Sequence, residues 1–304
     1  MKDSADSCIL PKSSESVNTA VKFVDYSDPE ELKHVQSLLL KLIKELKRVC
    51  DELGIQFFAY GGTAIGAIRH HGFIPWDDDV DVGLLRSDYE LLLKEAPKLL
   101  GDEYELVNYK TNPDYPANIS ILALKDTLMV PDTFKRCHYQ YPIRIDIFAF
   151  DNRVEDDGLF RKQCRSSWLW GRLTFLRGTA TPYISFNGPK EKAVLALCGL
   201  AHGLLVLFHV PQSWICRKWE ENATKYNDLP SDIFVDFTDR FPEKWEMSRD
   251  ELLPLLEVPF EDATIFVPNK YDVVLTRGYG NYMELPPKED RKNHHPAVLD
   301  FGQY

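Results

Sequence analysis

Four carboxylates stand within five residues, at Asp77, Asp78, Asp79 and Asp81, and their neighbours Trp76, Val80 and Val82 are apolar. Like charges this close repel one another, and burying them beside apolar groups is costly unless positive charge offsets them. A chain carrying this run must fold so that a cation meets it, and a divalent metal is the simplest source. Upstream stands Gly61-Gly62-Thr63. A glycine pair that opens a helix can turn its backbone N–H groups toward phosphate oxygens. Metal and glycine turn together point to phosphate chemistry.

The flanking pattern supports that arrangement. Residues 55–60 read as a strand running into the glycine pair, and residues 63–70 as a short helix broken by Gly72 and Pro75. Asp79-Val80-Asp81-Val82 alternates polar and apolar, which predicts a strand with both acids on one face. Asp77 joins that face if the strand begins early, and Asp78 points elsewhere. Ser87, with Glu90 three residues on, reads as the cap of another helix that uses Leu91, Leu92 and Leu99 as apolar surface. Further strands are expected at residues 119–124 and 143–150, with a loop or hairpin over 131–142. In the later strand Ile143, Ile145 and Ile147 face one way, and Arg144 and Asp146 the other.

The rest of the chain frames these elements. Residues 1–24 are polar and Ser-rich and read as a flexible tail. Asp28 and Pro29 start a helix, Glu31 stands where a capping-box acid reaches back, and Gly54 stops it. Between them Leu32, Val35, Leu39, Leu42, Leu46, Val49 and Leu53 recur at three- and four-residue spacing. Residues 25–304 are expected to form one catalytic domain with a helical insertion at about 160–225. Within it residues 193–208 carry no Asp, Glu, Lys or Arg, but are shorter than the roughly 20 residues of a membrane span. Two readings follow: a buried core helix, or a peripheral membrane contact through 193–208. The six cysteines form no Cys-x-x-Cys pair, which predicts no zinc site and reduced thiols in the cytoplasm. The N-terminal residues hold no long apolar run of the secretory kind. The expected location is cytoplasmic, at the inner membrane face under the second reading. The formal charge of −11 argues against a nucleic-acid partner.

Side chains i and i+2 on a strand stand together, so Asp79 and Asp81 can hold one divalent ion. Mg²⁺ fits, with Mn²⁺ as the alternative, because Mg²⁺ takes one or two carboxylates plus phosphate oxygens and water. An EF-hand loop needs a central glycine and a closing glutamate; counted from Asp77 those places hold Val82 and Asp88. Asp146, a lone acid in an apolar strand, is the candidate third carboxylate, its alternative role being a structural pair with Arg144. Gly61, Gly62 and Thr63 are the candidate phosphate cradle. Arg69 either pairs with a phosphate or is an ordinary surface arginine. Lys125, Arg291 and His294 are further candidates for donor or acceptor phosphate.

The stretch Gly61-Gly62-Thr63-Ala64-Ile65-Gly66-Ala67-Ile68-Arg69-His70-His71-Gly72-Phe73-Ile74-Pro75-Trp76-Asp77-Asp78-Asp79-Val80-Asp81-Val82-Gly83 resembles the LicD family, relatives of fukutin-related protein. Ile145-Asp146-Ile147-Phe148, Phe260-Glu261 and Tyr279-Gly280-Asn281-Tyr282-Met283 also fit. The resemblance implies an α+β fold: a nucleotidyltransferase-like mixed β-sheet flanked by helices, with an added helical segment. It also implies an Mg²⁺-dependent phosphotransferase moving phosphocholine from CDP-choline to a hydroxyl of a cell-surface glycan or its lipid-linked precursor. Another CDP-activated alditol or sugar phosphate is the alternative donor; a non-enzymatic calcium-binding protein is the distant one. By resemblance Asp79, Asp81 and Asp146 bind the metal, and Asp77 or Asp146 takes the acceptor proton.

Overall fold

The computed structural model describes residues 29–131, 134, 135, 137–182, 188–291, 293 and 296–304. The expected tail lies outside them. In chain order the helices are α1 (Pro29–Leu53), α2 (Gly61–His70), α3 (Arg86–Glu95), α4 (Asp157–Gly178), α5 (Pro189–Leu207), α6 (Gln212–Ala223), α7 (Arg249–Leu252) and α8 (Tyr271–Tyr279). The strands are β1 (Phe58–Ala59), β2 (Asp81–Leu85), β3 (Tyr104–Val107), β4 (Ser120–Leu124), β5 (Leu128–Pro131), β6 (Arg144–Asn152), β7 (Ile233–Val235), β8 (Met247–Ser248), β9 (Leu256–Phe260), β10 (Ala263–Val267) and β11 (Pro296–Asp300).

The main sheet runs β1-β2-β6-β4-β3, with β7 and β8 added along the far end of β6. Only β2 and β6 are parallel; the other pairs are antiparallel. Two small ribbons, β9–β10 and β5–β11, stand beside it. This is the expected α+β architecture, a mixed sheet flanked by helices. Helix α1 makes the core because its apolar residues recur on one face. Val35, Leu39, Leu42, Leu46 and Val49 are buried, and they join Ile143, Ile145 and Ile147 of β6 in one cluster. Gly54 ends the helix at φ +68°, a left-handed conformation suited to glycine.

Several boundaries differ from the expected ones. The strand expected over 55–60 shortens to β1, because only Phe58 and Ala59 find partners on β2, at Gly83 and Val82. Helix α2 begins two residues early and takes both glycines into its first turn. Ser87 does not cap α3. Leu85 holds the extended cap position, and the Ser87 hydroxyl turns to Asp88. The start of α3 is fixed instead by Arg86, whose Nε and Nη2 donate to the two oxygens of Asp151 at 2.7 Å each. That pair joins α3 to the end of β6, with Asp151 fully buried.

The largest correction concerns α5. A buried core helix is one reading of 193–208, yet none of the residues of α5 is buried. It rests on α4, where His202 Nδ1 lies 2.7 Å from the Leu176 carbonyl. Among the described residues no single helix is long and apolar enough to cross a membrane; α5 and α6 pass such a test only as a pair bent by 108°.

Breaking one side of a buried ion pair strands a charge. Asp151→Asn is therefore expected to cost about 3–5 kcal/mol in urea denaturation, and Arg86→Met with Asp151→Leu to cost much less. A second prediction concerns Asp236, directly after β7. Its carboxylate accepts hydrogen bonds from the Thr238 N–H at 2.8 Å and the Thr238 hydroxyl at 2.7 Å, but burial outweighs them and pushes its pKa up to about 7. The unfolded chain ionises this group near pH ~4 while the fold resists, so stability falls as pH rises from about 4 to about 7. Asp236→Asn should remove that slope, seen as equal denaturation midpoints at pH ~5 and pH ~8 where the parent loses a few kcal/mol.

Candidate active site

The parallel pairing of β2 with β6 sets Asp81 directly beside Asp146. Registered residues of neighbouring strands are about 4.8 Å apart and share a face, so the two side chains leave the sheet together. The start of β2 is clamped from both sides. The Tyr60 N–H donates to the Asp81 carbonyl at 3.0 Å, and the Asp146 N–H to the Val80 carbonyl at 2.8 Å. Asp79 precedes the strand rather than lying in it, because the ladder is complete only from Asp81. The expected alternation still holds: Val80 and Val82 are buried, Asp79 and Asp81 half-buried. Asp78 departs from expectation. It is 1 % exposed and lines, with Asp79, Arg144 and Asp146, a cavity of about 120 Å³. The chain turns at Pro75-Trp76 before the ladder begins, and this brings Asp78 to the side of Asp79.

The first turn of α2 faces the other side of the run. A Cβ on Gly62 would stand 3.1 Å from Asp77 Oδ2. One on Gly61, whose φ is +54°, would stand 3.4 Å from Asp81 Oδ2 and 3.3 Å from the Tyr279 hydroxyl. The N-cap residue, Tyr60, makes no side-chain cap bond. The partial positive charge of the helix start lies beside two carboxylates. Thr63 is tied in as well, its hydroxyl oxygen accepting from the Asp81 N–H at 2.9 Å. Gly61, Gly62, Thr63, Asp77 and Asp81 are brought together, and Asp79 and Asp146 border the adjoining cavity.

Asp146 makes the structural pair with Arg144 and also borders the cavity; its Oδ1 accepts from Arg144 Nε at 3.1 Å. Arg144 lies 4.5 Å from the Tyr141 ring centre. Burial pulls its pKa down, but Asp146 together with the neighbouring tyrosines leaves it raised. Arg144 is thus a site residue that sequence reasoning placed only as a structural partner; its i, i+2 relation to Asp146 was the available signal. Tyr279 was also missed. Burial of its hydroxyl, then Asp81, Asp79 and Asp77, raise its pKa, and nothing in local spacing relates residues so distant in sequence.

Other candidates stand elsewhere. Arg69 gives Nη1 to the carbonyls of Tyr282 and Glu284 and Nε to His70, so it fastens α2 to the segment after α8. Burial, then the nearby Arg291, lower its pKa. Arg291 lies 4.8 Å over the Trp76 ring, next to the acid run. Lys125 donates to the Asp102 carbonyl at 2.7 Å, on the β3 side of β4, and does not line the cavity. His294 lies outside the described residues. The loop from α2 to the acids is held by hairpin β9–β10: the Glu261 N–H donates to the His71 carbonyl at 2.8 Å, and Glu261 Oε1 accepts from the Phe73 N–H at 3.0 Å.

Among the described residues no three His, Cys, Asp or Glu side chains already form a metal-binding cluster. The donor set is nonetheless all carboxylate oxygen, which suits a hard divalent cation, and Mg²⁺ asks for only one or two such groups when phosphate and water complete its shell.

Comparison with known proteins matches residues 54–168 to the LicD/FKTN/FKRP nucleotidyltransferase domain. The lipopolysaccharide cholinephosphotransferase LicD of Haemophilus influenzae is 27 % identical over 280 residues, 87 % of this chain and 96 % of that protein. The human ribitol 5-phosphate transferase FKRP is 38 % identical over 53 residues, 16 % of this chain and 11 % of that protein. An uncharacterized protein of Rickettsia prowazekii, RP689, is 29 % identical over 92 residues, covering 30 % of this chain and 33 % of that protein. The match to the LicD/FKTN/FKRP nucleotidyltransferase domain, residues 54–168, holds the glycine pair and every carboxylate of the candidate site.

Proposed function

We infer that this protein is a phosphotransferase that moves phosphocholine from a CDP-activated donor to a hydroxyl of a glycan or lipid-linked glycan. The observation that carries the reading is the parallel register of Asp81 with Asp146 beside the first turn of α2. Similarity to the LicD cholinephosphotransferase along nearly all of that protein's length supports the donor. Asp79, Asp81 and Asp146 would hold Mg²⁺, which when bound offsets negative charge on the phosphate oxygens. Gly61 and Gly62 add no side chain of their own at the helix start, where N–H groups would meet the donor phosphates. The acceptor oxygen forms a bond to the phosphorus that carries the choline, the bond from that phosphorus to CMP breaks, and CMP leaves with the electron pair. Asp77 or Asp146 accepts the acceptor's proton.

The FKRP match across 53 residues favours a second reading, in which the donor carries an alditol phosphate. The site is the same and the activated alcohol differs.

Incubation with CDP-choline, Mg²⁺ and a glycan acceptor should release CMP, and Asp81→Asn should slow release by about 100-fold or more. Release from Asp81→Asn as fast as from the parent would remove Asp81 from the site. Thermal melting with Mg²⁺ and each of CDP-choline, CDP-ribitol and CDP-glycerol ranks the donors. A ligand at about 100 times its Kd adds about 2.7 kcal/mol to the folded state. CDP-choline is expected to raise Tm most; a larger shift with CDP-ribitol would establish the second reading.

A further inference from the structure

Helix α5 turns an apolar stripe outward. Leu197, Leu200, Leu204 and Leu207 follow at spacings of three, four and three, one face of a helix, and with Phe208 they are 45–72 % exposed. Leucines in such a stripe normally face a core. Trp168 and Leu169 of α4, the helix on which α5 rests, and Trp214 of α6 are exposed as well, and the Trp170 and Trp214 rings meet at 5.7 Å.

Charge separates this region from the rest of the chain. Residues 157–223, from the start of α4 to the end of α6, hold nine Lys and Arg against four acids, Asp157, Glu191, Glu220 and Glu221, while the whole chain has a formal charge of −11. On α4 the exposed positions Arg161, Arg165, Trp168 and Arg172 recur at helical spacing, and Lys190 and Lys192 open α5. Arg161, Lys162, Arg165, Lys190 and Lys192 pair with no carboxylate among the described residues, whereas most other surface cations do.

We propose that α5, with the exposed faces of α4 and α6, binds the surface of an anionic lipid bilayer. The apolar stripe enters the interface, the lysines and arginines meet lipid phosphates, and tryptophans sit at the boundary, the arrangement expected of a helix lying in the membrane plane. The excess of basic residues, several of them without a carboxylate partner among the described residues, favours an anionic surface over a protein partner, and α5 alone is too short of apolar length to span. The proposal does not rest on the phosphotransfer reading.

The full chain is sedimented with vesicles of phosphatidylcholine alone and of phosphatidylcholine mixed with phosphatidylglycerol, without donor or acceptor. It should follow only the anionic vesicles and release at high salt. Leu200→Asp with Leu204→Asp should abolish binding. Lys190→Glu with Lys192→Glu should weaken it by about tenfold or more. Unchanged melting temperatures verify that these surface variants fold, and the parent's lipid and salt dependence decides the matter if they do not. Three results would overturn the proposal: a parent that stays in the supernatant, a parent that binds neutral vesicles equally well, or a parent dimer that the leucine variant turns into monomers.

Discussion

The parallel contact between β2 and β6 is the constraint on which the site depends. Parallel neighbours need a long crossover, and here the chain returns through α3, β3, β4 and β5 before β6 arrives. That path pairs Asp81 with Asp146 although they lie 65 positions apart. A shift of one residue would turn every side chain of the slipped strand to the other face. Such slippage is opposed by Ile143, Ile145 and Ile147, which the same shift would expel from the core. The Arg86–Asp151 pair at the far end of β6 opposes it too. Apolar burial and one buried ion pair thereby hold two like charges where they would not settle by themselves.

The electrostatic balance is local. The open end of α2 lies against Asp77 and Asp81, and Arg144 bonds Asp146. Arg291 stacks on Trp76 close to Arg69, and burial together with that neighbour lowers the pKa of Arg69. A hard divalent cation with a donor phosphate is chemistry that suits such an all-carboxylate donor set.

Much of this was legible in the sequence because it is written in short-range pattern. Alternation around Asp81 and Asp146 gave the correct faces, and the spacing of α1 identified its buried side. The partners of Arg69 were not legible: its side chain donates to the carbonyls of Tyr282 and Glu284, more than 200 positions away. Asp78 was misjudged because alternation was extended through a turn. Of the two readings of 193–208, the buried core helix does not hold, because apolar composition alone does not say which surface covers a helix. Tyr279 could be placed beside Asp81 only by the fold.

Glu261 bears on the same problem from outside the site. With one backbone and one side-chain hydrogen bond it fixes the segment from His71 to Phe73, the stem of the loop that carries Asp77 and Asp78. Its own φ of +54° and that of His71 at +56° are uncommon for such residues. Local strain is thus exchanged for rigidity. A loop ordered in this way loses little conformational freedom when a ligand arrives, since the loss has occurred during folding. The β9–β10 hairpin thereby pre-orders the segment that leads into the acid run.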